Sequence, residues 1–85
     1  MDLRAAILAT AADAPIREPD FEAGYERFVA TTGLTPTRQA FADTVAALVA
    51  DRLVRDPVRL MEGALQCRWH LEVTPAGRDA AASRS

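Results

Sequence analysis

Cys67 and His70 are the only thiol and the only imidazole in this 85-residue chain. A thiol within reach of an imidazole is the pairing that makes a nucleophile. Three residues apart in a strand, however, they fall on opposite faces, because successive side chains alternate. One Cys and one His also fall short of a four-ligand zinc site, and no carboxylates stand at ligand spacing beside them. The four glycines are scattered along the chain and form no phosphate-cradling loop. Glu18, Asp20, Glu22 and Glu26 cluster, which is read as the solvated start of a helix able loosely to attract a cation or a basic partner. No catalytic residue, metal site or cofactor is expected, and the chain is read as a non-enzyme.

The remaining chemistry belongs to arginine. All ten basic residues are Arg and none is Lys, which together with the abundance of Ala is read as genomic base composition. Net charge is −2, and it is unevenly spread. Residues 1–34 hold three arginines against six acids, and residues 35–85 hold seven against six. A domain that holds a polyanion on its own usually shows a clear basic excess, since neutralising phosphates drives its affinity. This chain has none, which counts against strong autonomous binding of that kind. Lone Cys67 allows no internal disulfide and points to a reducing compartment. The start only faintly imitates a signal peptide, with Asp2 where positive charge belongs. No apolar run approaches membrane-spanning length. A cytoplasmic protein with no membrane contact is expected.

The elements that must position these side chains can be read from period and punctuation. Asp2 is a plausible N-cap for a first helix burying Leu3, Ile7, Leu8 and Ala11, which Asp13-Ala14-Pro15 ends. Ile16 docks the following connector on the core. Pro19 is placed first in a second helix, with Asp20 and Glu22 in its first turn. Phe21, Tyr25, Phe28 and Val29 form its apolar stripe, and Gly33 stops it. A third helix opens with Thr35 as cap and Pro36 as first residue, and buries Phe41, Val45, Leu48, Val49 and Leu53 before Asp56-Pro57 breaks it. Residues 58–62 and 67–73 read as strands about a turn at 63–66. In the second strand Cys67, Trp69, Leu71 and Val73 share one face, and Arg68, His70 and Glu72 the other. The first face should cover the helices, which places Trp69 in the core. Thr74-Pro75 restarts a short helix, and residues from Ala80 onward are expected to fray. One domain over residues 1–80 with a tail at 81–85 follows from 9.2 kDa of chain that is 49% hydrophobic.

Three helices followed by a hairpin resemble the winged helix-turn-helix superfamily of MarR-type and PadR-type bacterial regulators. Two segments carry the likeness. Ala47 to Arg55, with Leu48-Val49 and Leu53-Val54-Arg55, resembles the regulators' recognition-helix end, with Asp51-Arg52 where Gly is common. Leu71-Glu72-Val73-Thr74-Pro75-Ala76-Gly77-Arg78 is similar to their wing-exit signature of Leu-Thr-Pro and Gly-Arg, with one residue shifted. Gly33-Leu34-Thr35 resembles the central turn, but the apolar residue expected six after that glycine is Gln39, and the next bulky apolar residue is Phe41. The resemblance implies an α+β, mainly α, fold: three helices, a two-stranded wing and a short C-terminal helical segment.

It also implies a DNA-binding transcriptional regulator, acting as a possible homodimer on double-stranded DNA. The third helix would lie in the major groove with Thr37, Arg38 and Gln39 foremost, and Ala42, Asp43 and Ala46 behind them. Arg38 would take a guanine edge and Gln39 an adenine edge, while Arg59 and Arg68 clamp phosphates from the wing. Plainer readings stand beside these. Arg38 and Gln39 serve equally as a solvated first turn, Arg59 and Arg68 as edge-strand charge that discourages aggregation, and Arg52 and Arg55 as cations suited to a helix C-terminus. The alternative function is a protein-interaction module, adaptor-like or anti-activator-like, using the acidic second helix or the alanine faces. DNA binding predicts Arg38, Arg59 and Arg68 on one continuous basic surface and an affinity that falls steeply with salt; a partner module predicts them dispersed or ion-paired, with an apolar patch exposed elsewhere.

Overall fold

The computed structural model describes residues 2–60 and 67–82. Its first helix, α1 (Leu3–Asp13), buries Ala6, Ile7, Leu8 and Ala11, the spacing of a single helical face. Asp2 precedes it in extended conformation, and its side chain does not cap the first turn. The connector after Pro15 is a strand, β1 (Ile16–Glu18), in which Ile16 is buried. At three residues it is too short to show the alternation by which strands are recognised.

α2 (Phe21–Thr32) starts later than the Pro19 rule places it. Asp20 is the N-cap, and its carboxylate accepts from the Ala23 N–H at 2.8 Å. Gly33 closes the helix at φ 76, the left-handed conformation that glycine adopts without strain. α3 (Arg38–Ala50) likewise begins beyond the Thr35-Pro36 step. Thr37 is the N-cap, with its hydroxyl accepting from Ala40 N–H at 3.0 Å. Pro36 stays in the link, where its carbonyl accepts from the Tyr25 hydroxyl. In both cases an Asx or Thr cap one or two residues downstream wins over the proline, because its side-chain oxygen satisfies a backbone donor of the first turn.

Two further strands follow, β2 (Val58–Leu60) and β3 (Cys67–Leu71). The expected turn at 63–66, with Met61 and Glu62, lies outside the described residues. β3 pairs antiparallel with both neighbours, so the sheet has three strands in the order β1-β3-β2 rather than the two expected. Ile16 faces Leu71 and Val58 faces Trp69. Beyond Leu71 the pairing continues as one bridge, Val54 with Val73. The protein is thus α+β and mainly α. Trp69 and Leu71 turn inward onto the helices, as their alternation predicts, and join Ile7, Leu8, Phe28, Phe41, Val45 and Leu48 in one core. Phe41 is its hub, with ring centroids 5.0 Å from Phe28, 5.6 Å from Tyr25, 5.8 Å from Phe21 and 5.9 Å from Trp69. It fills the role that the exposed Gln39 cannot. Gly24 is buried beneath the Trp69 ring, and a Cβ there would collide with the indole.

The segment after α3 is held by a clasp. Arg52 N–H donates to Val49 O and Leu53 N–H to Leu48 O, both at 3.0 Å, with Arg52 at φ 60. These nested bonds form a Schellman motif, in which the left-handed position is usually glycine. It turns the chain three residues before the expected helix end at Leu53. Thr74 then joins the two halves. Its hydroxyl donates to Arg52 O at 2.6 Å and accepts from Gly77 N–H at 3.0 Å, and its N–H donates to Leu53 O at 3.0 Å. Pro75 opens α4 (Pro75–Ala82), where a missing N–H costs nothing. Gly77 is buried directly against the Leu53 carbonyl, leaving no room for a Cβ. Arg78 donates to Ala12 O at 3.2 Å, and α4 packs along α1. α4 runs to Ala82, and Ala80 and Ala81 pack on the core. Residues 83–85 lie outside the described set.

Two substitutions test the clasp with opposite signs. Gly77→Ala, which would favour an isolated helix by up to about 1 kcal/mol, should instead destabilise by about 2 kcal/mol or more through overpacking and lower Tm by roughly 10 °C. Arg52→Gly should stabilise by up to about 1 kcal/mol by relieving the left-handed residue. Urea and thermal unfolding followed by circular dichroism measure both.

Candidate nucleic-acid interface

The three residues expected to lead α3 into a groove are all engaged within the protein. Thr37 spends its hydroxyl on the cap described above. Arg38 reaches back to α2, where Nε donates to both Glu22 oxygens, at 2.7 and 2.8 Å, and a terminal nitrogen donates to the same carboxylate. Its guanidinium lies 4.9 Å from the centroid of Tyr25, a cation–π contact. Gln39 Nε2 donates to Asp43 Oδ1 at 2.7 Å, one turn along the same helix. Behind them the exposed face of α3 offers Asp43, Ala46, Ala47 and Ala50. It carries no free cation, and Asp43 would repel a phosphate.

The outward face of the sheet is different. Trp69 and Leu71 belong to the inner row, so Arg68 and His70 belong to the outer one. Register places Arg59 of β2 directly opposite Arg68, and Arg17 of β1 directly opposite His70. Residues directly opposite in an antiparallel pair share a face. Arg68 is exposed and makes no ion pair among the described residues; the side chain of Arg59 lies outside that set. Glu72, just past the strand end, lies against this row, 3.9 Å from Arg17 Nε and 3.5 Å from His70 Nδ1. Glu18 pairs with Arg27 at 3.1 Å, and Asp51 with Arg4 at 2.6 Å. Arg38 therefore adds no free charge to a surface with Arg68: it is neutralised at the α2–α3 junction, while register sets Arg59 opposite Arg68.

Arg17 and His70 are the members that sequence reasoning left out. The alternation of residues 67–73 already put His70 on the outer row with Arg68. Arg17 could be found only by recognising β1, which carries no pattern of its own. A second feature is apolar. A groove of about 280 Å³ runs beside α3, lined by Phe21, Ala42, Ala46, Val49, Pro57 and Trp69. Val58, next to Pro57, is 57% exposed. Among the described residues no cluster of His, Cys, Asp or Glu could hold a metal ion, and no helix is long and apolar enough to cross a membrane.

Comparison with protein-family models, curated proteins and solved structures finds no match to this chain.

The Glu22–Arg38 pair has a pH signature. The hydrogen bond from Arg38 holds the Glu22 carboxyl below the usual carboxylate range, a little desolvation opposes it, and the Arg38 charge adds to the lowering; the Arg38 guanidinium is raised by the same partner. A depressed folded-state value stabilises above the unfolded value, and that stabilisation is lost as pH falls through the folded one. Glu22→Gln should therefore be less stable than the parent at pH above the ordinary carboxylate range, with the two converging as pH falls through and below it. Urea titrations across that range measure the difference.

Proposed function

We propose that this chain is a winged-helix protein that binds double-stranded DNA and serves as a small regulator of transcription. The fold reading is supported by the order of three helices followed by an antiparallel strand pair, and by an exit in which Thr74, Pro75, Gly77 and Arg78 each have a mechanical part. The observation that carries the functional reading is the register of Arg59 opposite Arg68. Like charges directly opposite on a sheet destabilise it, and phosphate oxygens bound across them would offset that cost with charge-assisted hydrogen bonds. Arg17, opposite His70 on the same face, extends the positive row.

A second reading has its own observation. The alanine face of α3 and the apolar groove beside it suit a protein partner better than a base edge, the ion pair of Arg38 with Glu22 is the arrangement a partner module predicts, and net charge of −2 weakens long-range attraction to DNA. The two readings part in a salt titration.

Fluorescence anisotropy with a labelled random-sequence duplex should show binding that weakens steeply with salt. Arg59→Ala with Arg68→Ala should weaken it at least about tenfold at low salt and reduce the slope of log affinity against log salt by about two, one per lost phosphate contact. Absence of binding to the parent protein at low salt would reject DNA binding in favour of the partner module.

A further inference from the structure

Resting on the DNA-binding reading, we infer that the duplex lies across the outer face of the three-stranded sheet, with Arg17 and His70 as additional phosphate contacts, while α3 stands clear of the bases. Binding is then insensitive to base sequence.

The inference comes from where donors are free and where they are spent. For α3 to read a groove, Arg38 would have to leave both Glu22 oxygens and the Tyr25 ring, exposing an unpaired carboxylate beside the DNA. Gln39 would have to leave Asp43. The remaining exposed residues of α3, alanines and Asp43, have nothing to donate to a base edge. On the sheet the balance is reversed. Arg17 is 62% exposed and held only loosely, 3.9 Å from Glu72. Across the strand stands His70, its side chain 19% exposed and 3.5 Å from the same carboxylate, and two residues further along β3 stands Arg68 with Arg59 opposite. From Arg17 to Arg59 the row crosses three strands and spans about 12 Å. Successive charges of one DNA strand rise about 3.4 Å along its axis, so the row can follow a backbone over several phosphates. Such contacts position a duplex and carry no sequence information.

The test sets two double variants of the full chain against the parent, by anisotropy with pooled random duplex at low salt. Arg17→Gln with His70→Gln removes the added sheet contacts. Ala46→Glu with Ala50→Glu places two negative charges on the exposed face of α3 and touches no core residue. Circular dichroism melts confirm that each is folded, and Arg17→Gln alone, at an exposed position, serves if the first pair is not. Sheet contact predicts about tenfold weaker binding and a shallower salt slope for Arg17→Gln with His70→Gln, and less than about a threefold change for the α3 pair. Selection from a random duplex library should enrich no motif. Abolition by the α3 glutamates with little effect of the sheet pair, or an enriched motif, would overturn the inference and leave DNA binding standing. No binding by the parent protein would remove both.

Discussion

The contact between Thr74 and the end of α3 is the constraint on which the rest of the structure depends. One hydroxyl donates to the Arg52 carbonyl and caps α4 through Gly77 N–H, so a single side chain ties the third helix, the last strand and the final helix together. The approach is close enough that residue 77 has no room for a Cβ against Leu53 O. Because Leu53 O also accepts from Thr74 N–H, and Glu72 O accepts from Arg55 N–H, the chain leaving α3 runs alongside the chain leaving β3. That pairing sets the register in which β3 meets β2, and so decides which arginines stand opposite one another. α4, anchored at its start, lies along α1 and covers the core from the far side.

The second constraint is the crowding of aromatic rings around Phe41. Phe21 packs edge-on to Trp69 at 5.8 Å, and Tyr25 edge-on to Phe41. These contacts draw the start of α3 against α2, close enough for Arg38 to reach Glu22 and cover the Tyr25 ring. The arginine best placed by sequence to meet a ligand is thereby drawn into holding two helices together. Arg17 and Arg68, on the outer side of the sheet, stay exposed.

Much of this was legible in the residues. The stripes of α2 and α3, the stop at Gly33, the inward row of β3 and the Thr74-Pro75 restart all follow from period and turn chemistry, because each rests on local spacing. The misses were of two kinds. Helix starts slipped by two residues where proline was trusted over the side-chain caps Asp20 and Thr37. The strand β1 was missed because three residues carry no alternation, and Ile16 becomes a strand residue only when the unpaired edge of β3 is there to bond it. That second miss hid Arg17. For the candidate site, residue identity located Arg38, Arg59 and Arg68 but gave no hint that Glu22, sixteen residues before Arg38, would neutralise it. Pairings at that separation are decided by tertiary packing.

Central to this account is the assignment of ligand contact to the sheet and of structural duty to the start of α3. The most direct measurement is a two-dimensional amide NMR titration of the protein with a short duplex of arbitrary sequence at low salt. The account predicts shift changes concentrated at Arg17, Arg59, Arg68 and His70, with residues 38–50 of α3 left in place. Changes centred on Arg38, Gln39 and the alanine face of α3 would contradict it.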